Sequence, residues 1–434
     1  LVISHEDYPR KKGETMAEKT KEAVLKLRWL ILVLMGLALF GSYYAYDAVS
    51  PIADFIIKGM GISSAQFGLF FSVYSLPNII MVFLGGIFLD IIGIRKAGTI
   101  FAALCALGVI ITASGSTLLI MLLGRFVYGL GSESLIVTAD KILSRWFKGK
   151  ELAFAFGLLI TVARLGTIAA FNSAANIQQW SGSWRTAIWV SAVIMFVSFV
   201  LFLVYRGLDK SKEKYFMKEK KEGEAEKFSF QDIYRFRPSY WFVCLLCMTF
   251  YSAIFPFTAF STVLLQTKFG FSAVLGGRYT SMIFTASMIF TPLLGLLVDK
   301  IGKRGIMMIL GSLLLVPAHS MLGLTHVHPV ISMIMIGISF SMVPAALWPL
   351  IPIMVEERRL GTAFGLMTCI QNFGLTIFPW FAGKIRDLSG GQFTNTMIMF
   401  SCLGLVGFVF SLLLKSADKR EKAGIELPTK IAQA

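Results

Sequence analysis

The sequence predicts an all-α integral membrane protein, twelve transmembrane helices arranged as two parallel six-helix bundles. Three observations predict it. Apolar residues come in blocks long enough to cross a bilayer, basic residues fall in alternate loops, and one loop motif occurs twice at matched positions. The 434-residue chain is 56% hydrophobic with a mean hydropathy of +0.72. Soluble domains are about 45–50% apolar and distribute those residues periodically. Here the runs at 30–40, 67–89, 188–204 and 396–414 carry no charge at all. A span needs roughly 20 residues to cross about 30 Å of hydrocarbon, so with loops this length holds about a dozen. A large soluble domain does not fit beside them.

In chain order the expected spans are 29–57, 65–90, 97–114, 117–141, 151–175, 184–206, 239–266, 276–299, 304–323, 329–355, 359–384 and 394–415. They group into a tail over 1–28, an N-terminal bundle over 29–206, a charged linker over 207–238, a C-terminal bundle over 239–415 and a tail over 416–434. Residues 1–15, ahead of Met16, receive no structural weight and show no secretory-signal pattern. With the N-terminus placed in the cytoplasm, the inner loops, linker and tails hold 33 Lys and Arg, Lys148 and Lys150 among them. The outer loops hold 6: Lys58, Arg185, Lys268, Arg278, Lys384 and Arg386. Basic residues mark the cytoplasmic side, so both termini and the linker are expected there. The formal charge of +16 therefore reads as topology. Nucleic-acid binding would need a clustered basic stripe on a soluble fold.

The five cysteines lie in apolar segments, and Cys244-x-x-Cys247 has no histidine nearby to complete a metal site. Of the four histidines, His5 is in the tail and His319, His326 and His328 fall around an outer loop. No metal, no cofactor and no nucleophile–base arrangement is expected, which excludes an enzyme.

Internal repetition decides the architecture. Gly86, Asp90, Gly93 and Arg95 follow the second span, and Gly295, Asp299, Gly302 and Arg304 follow the eighth with the same spacing, 209 residues later. Ala155-Phe-Gly-Leu and Ala363-Phe-Gly-Leu recur at an offset of 208, placing Gly166 on Gly374 and Gly129 on Gly337. Glycines let neighbouring helices approach closely. The aspartate can bond to an adjacent helix N-terminus, and the arginine can bond back across the loop. Such a latch would hold the cytoplasmic side shut and break when that side opens. These motifs, with Arg125-x-x-x-Gly129-x-Gly131, resemble those of the major facilitator superfamily over nearly the whole chain. That resemblance implies alternating access by two rocking bundles.

An ionisable side chain inside a span costs on the order of 2.5–3.5 kcal/mol, which makes each one a functional candidate. Asp47, Arg125, Glu133, Asp140 and Arg164 stand out. Measured from the 144–150 loop at 1.5 Å per residue, Glu133 lies about 16 Å deep and Arg164 about 21 Å. That offset suits a zwitterion with its ammonium on Glu133 and its carboxylate on the Arg164 fork. The alternative is that the two residues pair and staple their helices. Asp140 reads as interfacial, and Arg125 as part of a structural network in the outer half. The tyrosines before Asp47 either mark the membrane interface or line the cavity.

Phe40-Gly-Ser-Tyr43-Tyr44-Ala-Tyr-Asp47, Tyr74-Ser-Leu-Pro77-Asn78, Gly124 to Leu135 around Glu133, Trp146 to Leu152 and Ala163-Arg164-Leu-Gly166 resemble one branch of the superfamily. It is the branch of lysosomal dipeptide transporters and their prokaryotic relatives. The resemblance implies that Glu133 and Arg164 hold the two ends of a dipeptide. The substrate-binding set expected is Glu133, Arg164, Tyr43, Tyr44, Asp47, Tyr74 and Asn78, with Trp348, Gln371 and Asn372 nominated by mid-span position. The gating and structural set is the two loop motifs and Arg125. With no Asn-x-Ser/Thr acceptor and no acidic dileucine signal, a monomer in a bacterial inner membrane is expected. Its partners are a small-molecule substrate and the lipid bilayer, and it moves dipeptides by facilitative uniport. The competing readings are a proton-coupled carrier of an organic anion or amino acid, and a non-transporting scaffold.

Overall fold

The structure, a computed structural model, describes residues 16–147, 151–211, 234–421 and 424–428. His5, Lys148, Lys150 and most of the linker lie outside the described residues, as do the first fifteen residues and the last six. Twelve helices are long and apolar enough to span a membrane. They are α1 (Met16–Asp47), α2 (Ser64–Ile91), α3 (Ile94–Ser114), α4 (Leu118–Trp146), α5 (Leu152–Ser181) and α6 (Trp184–Ser211) in the first half. The second half comprises α7 (Pro238–Phe269), α8 (Ala273–Ile301), α9 (Arg304–Leu324), α10 (Val330–Leu347), α11 (Leu360–Leu388) and α12 (Thr394–Glu421). No strand occurs among the described residues. Hydrocarbon offers no hydrogen bonds, so helices that satisfy their own backbone are the expected solution.

The loops set where helices start and stop. Ser63 and Gln66 form a capping box at the head of α2, and Thr117 and Ser272 accept from backbone N–H groups at the heads of α4 and α8. Two expected spans are broken. The first stops at Asp47 instead of continuing to 57, and a short helix, Ala53–Met60, follows. Pro51 cannot donate to a helical ladder and disfavours helical geometry at Ser50. The tenth stops at Leu347 and passes through a 3-10 turn, Trp348–Leu350, into Ile351–Met354. Pro349 and Pro352 remove donors there.

The two halves repeat their joints. A Cβ on Gly129 would run into the Tyr74 carbonyl of α2, and one on Gly337 into Ile283 of α8. A Cβ on Gly166 would strike Phe40 of α1, and one on Gly374 would strike Met248 and Ser252 of α7. Each pair stands at the same joint of its own bundle, in the register the sequence repeat implies. Close approach at small residues is how helices associate where no hydrophobic force acts between them.

The halves meet most tightly on the face away from the termini. Backbone N–H groups of Ser64 and Ala65, at the head of α2, donate to Asp387 at 2.9 and 2.8 Å, and Arg386 donates to the Ser64 hydroxyl at 2.7 Å. A carboxylate over free helical N–H groups is favourable. Gly68 sits against the Pro379 carbonyl, and Gly277 against that of Phe171. Phe67 packs on Phe260 and Phe171 on Phe284, with ring centroids 5.5 and 5.6 Å apart.

On the termini face the two loop motifs do different things. Asp90 accepts from Lys141 of α4 at 2.7 Å, not from a helix N-terminus, and Arg95 pairs with Asp209 of α6 at 3.8 Å. Asp209 also accepts from Arg145 at 3.3 Å and Trp146 at 3.1 Å. In the second copy Arg304, 0% exposed, donates to the Ile425 and Leu427 carbonyls at 3.4 and 2.6 Å. The Lys303 N–H donates to the Glu426 carbonyl at 2.9 Å, and the Ile425 N–H to Asp418 of α12 at 3.3 Å. Residues 424–428 thus strap the α8–α9 turn to α12. Burial pushes the Glu426 carboxyl above its ordinary range, against the opposing charge of Lys415. Gly86 and Gly295 have nothing within 4 Å of a Cβ position, contrary to the close helix approach expected for them. Gly93 and Gly302 serve their turns instead, with φ of 85° and 68°.

Candidate functional site: a charged cavity between the bundles

One cavity of about 790 Å³ lies between the halves and opens toward the termini face. Its rim is made by Gly86, Asp90 and Lys141 of the first half and Gly361 and Gly365 of the second. Four first-half helices supply its charge: Asp47 from α1, Asp90 from α2, Glu133 and Asp140 from α4 with Lys141, and Arg164 from α5.

Glu133 and Arg164 line the same cavity without touching. No ion pair joins them within 4 Å, so they are not a helix staple. Glu133 makes no hydrogen bond or ion pair among the described residues. Arg164 lies in an aromatic setting: its guanidinium carbon is 4.7 Å from the Phe340 ring, 5.8 Å from Tyr43 and 6.0 Å from Phe284. Cation–π contacts stabilise the charge and leave the in-plane N–H donors available to an anion. Asp47 is 3% exposed, and its Oδ2 accepts from Thr167, one turn beyond Arg164, at 2.7 Å.

The rest of the expected set divides. Tyr43, Tyr74, Trp348, Gln371 and Asn372 line the cavity. Trp348 donates to the Tyr251 hydroxyl at 2.9 Å, Gln371 faces the Cys247 thiol at 3.7 Å, and the Asn372 amide donates to the Thr368 carbonyl at 3.0 Å. Tyr44 does not line it; it points about 100° away round α1 and shares a 2.7 Å hydrogen bond with Ser173. Asn78 is 0% exposed in the α2–α4 seam, where Gly129 draws the helices together, and lies outside the cavity. Arg125 is also outside it, 2% exposed, with its guanidinium 3.4 Å from the Ala45 and Tyr46 carbonyls and 5.9 Å from the Phe70 and Phe71 rings.

Tyr46 also lines the cavity, one of the two readings open to the tyrosines before Asp47: Tyr43, Tyr46 and Asp47 share one face of a helix at i, i+3 and i+4. Tyr128, Tyr251, Phe255, Phe364 and Thr167 were not anticipated as lining residues. The second-half aromatics had no such signal, because an aromatic ring in a span is usually packing. Among the described residues no cluster of His, Cys, Asp or Glu could hold a metal, and all five cysteines are free.

A family model described as Major Facilitator Superfamily matches residues 35–379 and 279–432. The chain belongs to the Major Facilitator Superfamily. Within that family it is 36% identical over 415 residues to the lysosomal dipeptide transporter MFSD1 of Danio rerio, covering 92% of this chain and 89% of that protein. Homo sapiens MFSD1 is 34% identical over 392 residues, covering 87% and 84%. The probable sulfoacetate transporter SauU of Cupriavidus necator is more distant, at 26% over 427 residues and 92% and 97% coverage. Among solved structures, a bacterial homolog of the human lysosomal transporter Spinster in an inward-facing, occupied conformation superposes with a TM-score of 0.72. It covers 91% of this chain and 98% of its own at 16% identity, which speaks to the fold alone.

Proposed function

We propose that the protein is a secondary transporter of dipeptides that works by alternating access as a facilitative uniporter. The observation that carries this reading is the pair of opposite charges, Glu133 and Arg164, set unpaired in one cavity between the halves. Holding two charges apart in a low-dielectric interior is costly unless a ligand with both signs bridges them. A free dipeptide is such a ligand: its ammonium goes to Glu133 and its carboxylate to the Arg164 fork. A volume of about 790 Å³ leaves room for varied side chains. The MFSD1 relatives, named as lysosomal dipeptide transporters, support the substrate class.

In this reading the structure is the state open to the termini face. The charge bias of the loops supports placing that face in the cytoplasm, with the protein in a cell membrane of bacterial type as a monomer. Counterflow of labelled Ala-Ala in proteoliposomes tests the assignment. Arg164→Ala should abolish exchange in a protein that still elutes as a single folded species, and retained exchange would sink the reading. Uniport carries a separate test. An imposed pH gradient should not drive accumulation, and accumulation lost in Glu133→Gln would instead identify a proton-coupled carrier.

A further inference from the structure

The seam that seals the face away from the termini carries a groove on its bilayer side. It holds about 350 Å³ between α2 and α11 and shares no lining residue with the central cavity. Leu69, Val73 and Leu76 form one wall, Ile377 and Trp380 the other. Ser72 and Thr376 complete the walls, but the helices engage their hydroxyls. Ser72 accepts from the Trp380 N–H at 3.3 Å, and Thr376 donates to the Asn372 carbonyl at 2.8 Å. Water therefore finds little to bond to there. Leu76, Ile377 and Trp380 are exposed, so the groove opens outward from two membrane-spanning helices. Leu69 to Leu76 lie about 8 to 18 Å along α2 from its head, in the hydrocarbon of the leaflet on the sealed side. An empty apolar groove at that depth forfeits dispersion contacts that an acyl chain restores.

The rim supplies a charge. Lys384 follows Ile377 and Trp380 at i+7 and i+4 on α11, so it continues the same stripe toward the membrane surface. Its charged neighbours are occupied: Arg386 and Asp387 bond to α2, and Lys58 pairs with Asp54 at 2.7 Å. Lys384 is exposed and makes no ion pair among the described residues. A lysine whose stem runs beside an interfacial tryptophan carries its ammonium to the level of lipid phosphates. The surplus is one positive charge, which a lipid of net negative charge matches and a zwitterionic one does not. The two walls also belong to different halves. Gly68 meets the Pro379 carbonyl beside the groove, and the groove lasts only while α2 and α11 stay joined. A ligand held by both walls therefore favours this state over the opposite one.

We propose that this groove is a regulatory site for an anionic phospholipid, with one acyl chain between α2 and α11 and the phosphate on Lys384, which holds the sealed face shut. The proposal does not depend on which solute the cavity carries. Its test is thiol labelling of a reporter cysteine at Ser64, in a protein stripped of its five native cysteines. The bilayers are phosphatidylcholine with and without phosphatidylglycerol. Phosphatidylglycerol should lower the labelling rate about threefold, the effect of one exposed ion pair. Lys384→Gln, which removes the charge, and Leu76→Trp, which fills the groove, should each abolish that difference. Lys58→Gln, on the sealed face but outside the groove, should keep it. Inorganic phosphate added to phosphatidylcholine bilayers should change nothing, because it brings no acyl chain. Equal labelling in the two bilayers overturns the proposal. So does a lipid effect that survives in Lys384→Gln or Leu76→Trp, that is lost in Lys58→Gln, or that phosphate alone reproduces.

Discussion

Glu133 and Arg164 each cost on the order of 2.5–3.5 kcal/mol to place in a span, and neither recovers that cost from the other. Arg125 is different, since its guanidinium holds two backbone carbonyls and faces two phenylalanine rings. The two kinds of charge predict opposite mutational signatures. Glu133→Gln should leave the melting temperature unchanged or a few degrees higher while abolishing the thermal stabilisation given by millimolar Ala-Ala. Arg125→Ala should cost about 3 kcal/mol by orphaning buried carbonyls, seen as a clear drop in melting temperature without ligand. A large destabilisation from Glu133→Gln would mark that residue as structural. At this scale the two charges that line the cavity, Glu133 and Arg164, were readable because ionisable residues in spans are few. Tyr44 and Asn78 were misplaced because membership of a motif says nothing about helical phase or about which seam a side chain fills.

Helices carry the next level of the argument through their glycines and prolines. Span number and order were legible from apolar blocks. The breaks after Asp47 and Leu347 were not, because both lie inside apolar stretches where only the prolines mark a stop. The sealed face was also hidden, since its contacts are long-range and backbone-mediated. Gly68 is the clearest element-scale probe: a Cβ there would run into the backbone of Pro379 and Trp380 on α11. Gly68→Val should therefore disfavour this state, raising thiol labelling of a reporter cysteine at Ser64 and slowing counterflow at least tenfold. Gly86→Val meets open space in this state and should not raise that labelling. Equal labelling in the two variants would contradict the role given to the α2–α11 seam.

For the whole molecule, the duplicated register carries most weight. Gly129 with Gly337, and Gly166 with Gly374, recur at matching joints because each half packs by the same rules. The asymmetry between halves was only partly legible. First-half charges are conspicuous in sequence, whereas the second half contributes rings and amides that look like ordinary packing. Alternation requires the sealed face to open while the termini face closes. A reversible cross-link between cysteines at Ala65 and Asp387, whose N–H and carboxylate lie 2.8 Å apart, should hold the cavity open to the termini face and stop counterflow. Reductant should restore it. Full exchange in the cross-linked protein would show that the two bundles need not separate there.

Arg304 donates to carbonyls 121 and 123 residues further along the chain. A ribosome adding roughly 5–20 residues per second delivers that arginine several seconds before its acceptors exist. Until then the guanidinium faces Asp299, already in the chain, without its two carbonyl acceptors, so the α8–α9 turn enters the membrane unfinished. The second bundle can reach its final form only after residues 424–428 have emerged. Biogenesis of this half is thus gated from its far end, and nascent chains released ahead of that segment would carry an α8–α9 turn not yet strapped to α12.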